Sequence, residues 1–375
     1  MRILILTSSG GTAHDAAAYA LRDWFALLHP DVELHVEHVL ESSSGVYRGG
    51  VALYNWIQRH QPWLHQLYWR LMEAEDLIKP GTLLFGRQAF IRLLRDVRPD
   101  VLISTHPHCN RGHFDLARRV LGQRLRCITC NTEIDGGFGF SRNWVSASAD
   151  LHWVQTPEVA AEVCRRRLGM RRFPAERVAC LGPLLFPAFH RGGPAPTRLA
   201  GRPLLVLASG SNGANNHIPL LEQLLPFADR LEVVALCGRR QAVREQLEAW
   251  GARYPRLTLQ ALGFQDPEQM AILYRKAWAH VARPGARTAA EALVLGCPLI
   301  FNCIGSAMPQ ELLAPRYFRS RKLAQQIQHP RDLAQIVQQW LADPEGYRQL
   351  RQRYGQSLLS ADPERVIRAL IGGDD

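Results

Sequence analysis

Two turns built from small residues have the composition of diphosphate-binding sites. The first, ASGSNGAN, follows the apolar run PLLVL and contains Ser209, Gly210 and Gly213; the second is PGART, residues 284–288. Each lies between a predicted strand and a predicted helix, so that the N–H groups of a helix N-terminus would face phosphate oxygens. Neither turn has the GxGxxG or Walker A pattern, and each could be an ordinary tight turn. Two such turns in one half of the chain indicate a nucleotide diphosphate.

Glu291 lies about one turn inside the helix that is predicted after PGART. A carboxylate there could accept two hydrogen bonds from a sugar diol. The residues leave two other interpretations open: a solvated helix carboxylate, or a capping-box partner of Thr288, whose spacing Glu291 matches.

His14 has a comparable position in the N-terminal half of the chain. The run RILILT before it is short, apolar and typical of a strand, and the Ala- and Leu-rich stretch after it has helical spacing. The histidine, which follows Gly11 and Thr12, therefore lies at a strand-to-helix turn, where open α/β sheets bind ligands. The alternative is a histidine that caps or packs against the start of the helix.

These residues are positioned by β-like runs that alternate with helical stretches along the whole chain. Such alternation predicts an α/β fold with mostly parallel sheets and helices on both faces. Near Leu181 the sequence becomes rich in Pro and Gly, and the alternation restarts at PLLVLA. We predict two doubly wound domains, 1–185 and 201–355, joined by a linker at 186–200, with a C-terminal helix in 356–375 that packs on the first domain.

Composition limits the class of protein. Among the 375 residues, 47% are hydrophobic and 21% are charged, which argues against disorder. No apolar run reaches the ~18 residues of a spanning helix, and the first six residues are too short for a signal peptide, so an intracellular protein is expected. The net charge of +11 favours polyanionic partners. No zinc-finger, KH or RRM pattern is present, so a nucleic-acid partner is not expected.

Three patterns resemble metal or redox sites but have simpler interpretations. Cys127 and Cys130 lie in an apolar run typical of a strand, where residues three apart point to opposite faces. The segment 106–108, HPH, lacks a convincing four-ligand set for zinc. The Glu133-Ile-Asp135 segment only mimics a DxD metal site. We expect reduced thiols and no metal.

The motifs resemble those of a known family. GSNGAN, LGF, ARPGARTAAEALVLGCPLIF and PQE, in this order, resemble the C-terminal domain of MurG-like and monogalactosyldiacylglycerol (MGDG) synthase-like glycosyltransferases. In the N-terminal half, GTAHDAAAYAL is similar to the family's GGGHxxAAxAL, RDVRPDVLISTHP to its RPDvvvSTHP, and Trp144 and Asp150 to its W…D pattern. The resemblance covers Met1 to about Leu312. It implies the GT-B fold, two Rossmann-like domains facing a cleft.

The resemblance also implies a role for each candidate residue. Glu291 would hold the uridine ribose, and Phe264 would lie in the segment lining the uracil. His14 would be the general base, because an imidazole suits removal of a proton from a sugar or glycerol hydroxyl. Gln310 and Glu311 would contact the donor sugar. The residues that match the diphosphate-binding turns are Gly210, Gly213, Gly285, Ala286, Arg287 and Thr288.

The chain departs from the family pattern at two places. It has Gly11-Thr12-Ala13 where relatives have three glycines before the histidine, which stiffens the loop where the acceptor or diphosphate should pass. The Asn that commonly follows the Gln310-Glu311 pair is absent. These departures leave the acceptor and the donor sugar open.

An aromatic cluster in the N-terminal half has two interpretations. Its residues could pack in the core at helical spacing, or they could form a helix whose aromatic and basic side chains lie at a lipid interface. The cluster consists of Tyr54, Trp56, Trp63, Tyr68 and Trp69 with Arg59 and Arg70.

The resemblance predicts a UDP-sugar-dependent hexosyltransferase. The first domain would bind diacylglycerol, the second would bind the UDP-hexose, and galactose or glucose would be transferred in one inverting displacement as Arg287 and helix N-termini stabilise the leaving UDP. No metal or other cofactor is expected. The predicted location is cytoplasmic, peripheral on the inner face of an anionic membrane. The alternatives are a non-lipid or polyprenyl-linked acceptor, and a non-catalytic UDP-sugar-binding protein.

Overall fold

The computed structural model describes residues 1–9, 12–60, 64, 85–166, 172–196, 201–208, 216–305 and 308–372. The chain forms two compact units. Unit 1 comprises Met1–Pro187, Met308–Leu313 and Ser360–Asp375, and unit 2 comprises Ala188–Ala307 and Ala314–Leu359. The short segment 308–313 thus belongs to unit 1, whereas the sequence analysis assigned it to the second domain.

Strands and helices alternate along the described chain, as the sequence predicts. The strands are β1 Arg2–Thr7, β2 Glu33–His38, β3 Val101–Ser104, β4 Arg126–Cys130, β5 Leu151–Val154, β6 Val178–Cys180, β7 Leu204–Ala208, β8 Glu232–Leu236, β9 Leu259–Leu262, β10 Ala279–Ala282, β11 Leu299–Asn302 and β12 Gln325–Ile327.

Most of the helices are short, and several begin with a proline at the first helical position, where its missing N–H has no cost. They are α1 Thr12–Leu28, α2 Val39–Ser43, α3 Gly45–His60, α4 Arg87–Val97, α5 His113–Leu121, α6 Pro157–Val163, α7 Pro187–His190, α8 His217–Leu224, α9 Gln241–Arg253, α10 Pro267–Lys276, α11 Ala286–Leu295, α12 Leu313–Ser320, α13 Pro330–Ala342, α14 Pro344–Gln356 and α15 Pro363–Ile371. Single 3-10 turns include Pro107–Cys109, Arg142–Trp144 and Pro309–Leu312.

Unit 1 contains a six-stranded parallel sheet in the order β2-β1-β3-β4-β5-β6. The order reverses between β1 and β3, which pair directly, with Leu6 opposite Ser104. Apolar clusters cover both faces of the sheet. Cys127 lies in one cluster and Cys130 in the other, as the strand interpretation of these two cysteines predicted. Because ligands bind where strand order reverses, the carboxyl ends of β1 and β3 are the expected site.

Unit 2 contains a second six-stranded parallel sheet, in the order β12-β11-β10-β7-β8-β9. This is the strand order of a dinucleotide-binding Rossmann domain, and it reverses between β7 and β10. The two turns predicted to bind a diphosphate follow these two strands, which pair with Val281 opposite Leu207. The predicted fold class, two Rossmann-like doubly wound domains, is confirmed.

The chain returns to unit 1 at its C-terminus. On α15, Val366, Ile367 and Leu370 are fully buried in the cluster formed with β1 and α1. The approach is close at Gly182, which has a φ of +76° and contacts the backbone carbonyl of Ser360 so tightly that a Cβ atom would overlap the carbonyl oxygen.

We expect Gly182→Ala to destabilise unit 1. The alanine would both strain a left-handed backbone and displace the segment that leads into α15. The matched control is Gly122→Ala in the same unit, where φ is +92° but no atom lies within 4 Å of an added Cβ. In urea unfolding, Gly182→Ala should cost at least about 2 kcal/mol more than Gly122→Ala. Equal losses would show that the Ser360 contact is not constraining.

Candidate functional site

The imidazole of His14 lies where the strand order of unit 1 reverses. Helix α1 begins at Thr12 directly after β1, and Thr105 follows β3. His14 Nδ1 lies 2.9 Å from the Thr105 carbonyl oxygen and 3.2 Å from the Thr132 hydroxyl. A carbonyl can only accept, so Nδ1 carries the proton and donates it. The neutral ring therefore has its basic lone pair on Nε2.

Burial keeps this imidazole neutral. It lowers the His14 pKa to about 4, while the Thr105 carbonyl and the nearby Asp15 carboxylate act in the opposite direction. The ring of His106 contacts that of His14 edge to face, at 4.6 Å between centroids, and burial lowers the pKa of His106 well below its usual value. The site thus holds uncharged rings near neutral pH.

Carboxylates organise the backbone that leads to His14. Glu41 Oε1 accepts hydrogen bonds from Ser9 N at 2.7 Å and Ser9 Oγ at 2.6 Å. Asp15 accepts from the Thr7 hydroxyl at 3.0 Å and pairs with His38 at 3.1 Å, which raises the His38 pKa. Among the loop residues singled out from the sequence, Gly11 lies outside the described residues and Thr12 is the first residue of α1.

Sequence reasoning missed Thr105 and Thr132 as partners of His14. Thr105 directly follows β3, and Thr132 lies two residues after the end of β4. Polar residues just after the carboxyl ends of these strands were the sequence signal that could have identified both. Glu133, considered only as part of a DxD-like pattern, is buried beside Thr132 and burial raises its pKa to about 7. The fully buried Trp144 ring lies 5.7 Å from that of His14.

Other residues noted in the sequence have structural partners. Asp150 accepts from Arg118 Nη2 at 2.6 Å and from Cys127 N at 2.7 Å, so it holds the beginning of β4 in place. The rings of His106 and His108 pack at 5.6 Å. Within the ranges that the structure describes, no three His, Cys, Asp or Glu side chains are grouped to hold a metal ion.

In unit 2, the turn after β10 presents the N-terminus of α11. Gly285 is the N-cap residue, no side chain caps the helix, and its first N–H groups belong to Ala286, Arg287 and Thr288. Such N–H groups attract anions. Strand β7, next to β10, ends at Ala208. The predicted turn after it, with Ser209, Gly210 and Gly213, lies outside the described residues.

Glu291 is buried on α11, with only 4% of its surface exposed, and its Oε1 accepts from Arg287 Nε at 2.6 Å. Since α11 begins at Ala286, Glu291 is too far into the helix to form a capping box with Thr288. The two alternative interpretations of Glu291, a solvated helix carboxylate and a capping-box partner of Thr288, are therefore wrong. A carboxylate has lone pairs for further donors beside one guanidinium.

The remaining candidates differ in their surroundings. The Phe264 ring is 60% exposed, and the Arg239 guanidinium lies 4.9 Å from its centroid. Gln310 lies in the 3-10 turn Pro309–Leu312 of unit 1, and its Nε2 donates to the Tyr54 hydroxyl at 3.1 Å. Glu311 is buried and accepts from Met308 N at 2.9 Å, which closes that turn. Of the aromatic cluster, Trp63, Tyr68, Trp69 and Arg70 lie outside the described residues.

No described helix combines the length and the apolar character needed to cross a bilayer. Helix α3 nevertheless has an exposed stripe of apolar residues, which we call the α3 stripe. The exposed fractions of its larger members are 59% for Val46, 49% for Leu53 and 48% for Trp56. The α3 stripe consists of Gly45, Val46, Gly49, Ala52, Leu53 and Trp56.

Comparisons with known proteins agree with the fold and with the resemblance found in the sequence. Residues 14–175 match the family described as monogalactosyldiacylglycerol (MGDG) synthase. A processive diacylglycerol β-glucosyltransferase of Bacillus subtilis (strain 168) is 23% identical over 293 residues, which cover 76% of this chain and 72% of that protein. A probable chloroplastic MGDG synthase 2 of Oryza sativa subsp. indica is 23% identical over 402 residues, covering 97% and 78%.

Among solved structures, MurG of Acinetobacter baumannii superposes with a TM-score of 0.62 over 99% of both chains, at 16% identity. That likeness concerns the fold, which is GT-B. Together with the match of residues 14–175 and the relatives that extend through unit 2, it confirms the resemblance seen in the sequence: this chain is similar to MGDG synthase-like glycosyltransferases and has the GT-B fold.

Proposed function

We propose that this protein transfers galactose or glucose from a UDP-hexose to diacylglycerol, with His14 as general base. The observation that carries the proposal is the His14 ring, whose Nδ1 proton is committed to the Thr105 carbonyl, so that Nε2 is the proton acceptor. His14 is the first residue of the segment that matches the MGDG synthase family. Relatives named for diacylglycerol and MGDG support the acceptor.

Unit 2 binds the UDP part of the donor. The uncapped N-terminus of α11 receives phosphate oxygens, and the Glu291 carboxylate, held by Arg287, accepts hydrogen bonds from the ribose hydroxyls. The exposed ring of Phe264 lies in the segment that lines the uracil. Gln310 and Glu311 receive the hexose. No metal is needed in this scheme, because backbone N–H groups and Arg287 neutralise the diphosphate.

The reaction is a single displacement. The acceptor hydroxyl oxygen attacks the anomeric carbon while the bond from that carbon to the diphosphate oxygen breaks, so the configuration inverts. The hydroxyl proton passes to His14 Nε2, and UDP leaves with the electron pair. Imidazolium formation in a buried site is unfavourable, and the Thr105 carbonyl and Asp15 are the groups that offset this cost.

The α3 stripe is the lipid-facing surface of this scheme, on a protein that works peripherally at the cytoplasmic face of the membrane. It fits a bilayer because the proposed acceptor is a bilayer lipid and because the chain carries a net charge of +11. Continuity with the site also favours this occupant. Asn55, next to Trp56, donates its side-chain N–H to the Ser9 carbonyl at 3.3 Å, in the segment that leads to His14.

The first test is UDP release from UDP-glucose and UDP-galactose, with and without diacylglycerol in mixed micelles. We expect release that requires diacylglycerol and one hexose, and we expect His14→Ala to lower kcat by about 100-fold or more, since general bases contribute about 10²–10⁴. The control is His35→Ala, a surface histidine that pairs with Glu33. Release without any lipid, or with a polyprenyl acceptor only, would contradict the proposed acceptor, and UDP binding without turnover would indicate a non-catalytic protein.

The same reaction tests the pKa of His14. A base is active when deprotonated, so activity is lost as pH falls through its pKa, and kcat/KM should decline on account of His14 only near pH 4. Glu133, with a pKa of about 7, can add an inflection that Glu133→Gln removes. An inflection near 6.5 that persists in Glu133→Gln would contradict a buried, neutral His14.

Glu291 can be tested through the ribose itself. If its carboxylate holds the ribose diol, Glu291→Ala should weaken UDP binding by about 1.5 to 3 kcal/mol, as expected for a hydrogen bond to a charged group. Calorimetry with UDP and 2′-deoxy-UDP separates this role from support of Arg287. The wild type should prefer UDP, and Glu291→Ala should lose that preference; a preference that survives the substitution would refute the contact with the ribose.

The α3 stripe is tested by a matched pair of substitutions at exposed leucines of unit 1. Leu53→Glu should reduce sedimentation with phosphatidylcholine–phosphatidylglycerol vesicles and raise KM for vesicular diacylglycerol, because a carboxylate resists burial at the lipid surface. Leu27→Glu, at a position 60% exposed on α1, should change neither. If Leu53→Glu bound vesicles as well as the wild type, the lipid assignment would be contradicted. It would also be contradicted if the wild type self-associated in sedimentation velocity and Leu53→Glu did not, because a second copy of the chain would then occupy this face.

A further inference from the structure

Two asparagines of unit 2 pair through their side-chain amides. Asn302 is the last residue of β11, and Asn216 lies directly before α8. Asn302 Nδ2 donates to Asn216 Oδ1 at 3.2 Å, and Asn216 Nδ2 donates in return to Asn302 Oδ1 at 3.3 Å. Ile304 N also donates to Asn302 Oδ1, at 3.3 Å, and a backbone N–H can only donate. The backbone therefore fixes which end of the Asn302 amide is the acceptor.

This pairing replaces the usual cap of α8. An asparagine at the N-cap position commonly accepts a hydrogen bond from the N–H of the second or third helical residue. Asn216 is the N-cap residue of α8, yet its side chain makes no capping hydrogen bond. The third helical residue is Pro219, which has no N–H to offer. The first N–H groups of α8, on His217 and Ile218, are therefore not capped by Asn216.

Asn302 is also bonded to the turn that leads into α11. Arg283 lies in that turn, directly after β10, and its Nη1 donates to the Asn302 carbonyl at 3.4 Å and to the Ile304 carbonyl at 3.1 Å. Only 2% of the Asn302 surface is exposed, so water competes little for these hydrogen bonds. Asn302 thus holds the start of α8 with its side chain and the turn before α11 with its backbone.

The strand order shows why this link matters for the position of α8. Helix α8 follows β7 in the chain, but Asn216 is bonded at the end of β11, and β10 lies between these two strands in the sheet. The start of α8 is therefore held on the far side of β10, whose own turn leads into α11. Two helix N-termini held near each other can attract the same anion.

We propose that Asn302 is a positioning residue for the diphosphate of the donor: it holds the N-terminus of α8 against the turn before α11, so that both helix ends face the phosphate oxygens. This rests on the proposed function, in which α11 receives the phosphates of UDP. Asn302 acts through Asn216 and Arg283 and does not touch the ligand. Loss of the amide pair releases α8 and leaves the contact of Glu291 with the ribose in place.

The test compares UDP with uridine, which lacks the diphosphate. Asn302→Ala removes the side-chain link, whereas the backbone carbonyl that accepts from Arg283 remains. We expect UDP to bind about 3- to 10-fold more weakly in calorimetry, as for one lost hydrogen bond. The affinity for uridine, measured by displacement titration, should not change. Glu291→Ala should instead weaken the binding of both ligands, because both carry the ribose.

Asn216→Ala removes the same link from its other side, at a half-buried position and without loss of a capping hydrogen bond, so it decides the matter if Asn302→Ala does not fold. It should reproduce the loss, and the double variant should bind UDP no more weakly than either single variant. The matched control is Gln241→Ala, which removes an exposed amide bonded to Glu245 on α9.

Three results would overturn the inference: unchanged UDP affinity in the folded asparagine variants, equal weakening of UDP and uridine, or additive losses in the double variant. A wild type that does not bind UDP would instead contradict the proposed function of unit 2.

Discussion

The hydrogen bond from His14 Nδ1 to the Thr105 carbonyl joins the first residues of α1 to the end of β3, across the point where the strand order of unit 1 reverses. It is reciprocated by the Thr105 hydroxyl, which donates to the His14 carbonyl at 3.1 Å. This pair fixes the tautomer, the ring direction and the start of the helix together. The chemistry proposed for His14 depends on that tautomer, because only Nε2 then has a lone pair to offer.

Both sheets use the same constraint. In a parallel sheet every strand must be followed by a crossover, so the carboxyl ends of neighbouring strands collect turns and helix N-termini at one edge. The alternation of apolar runs with helical stretches therefore predicted the fold class, and it placed each of the two small-residue turns between a strand and a helix. The same logic placed His14 after β1. These features could be predicted because each depends on local sequence and on a general rule of strand connection.

Other features depend on contacts distant in sequence, which no local pattern encodes. Thr105 and Thr132 reach His14 from 91 and 118 residues away. Glu291 matched a capping-box spacing with Thr288, but its partner is Arg287, because α11 begins at Ala286. Burial decides the pKa values of His14 and Glu133, and burial follows from packing of the whole unit. The place of Gln310 in unit 1 could not be predicted either, since the chain leaves unit 2 for only six residues.

Two opposing electrostatic influences at the His14 site limit how His14 can act as the proposed base. Burial disfavours the imidazolium of His14, whereas the Thr105 carbonyl and, more weakly, the Asp15 carboxylate favour it. Asp15 also accepts from Thr7 and pairs with His38. Because that pairing raises the pKa of His38, protonated His38 partly neutralises Asp15 at lower pH. Less of the carboxylate's field then remains to stabilise a proton on His14. The pKa of His14 is thus set first by burial, and the carboxylate of Asp15, which partly opposes burial, is shared with His38.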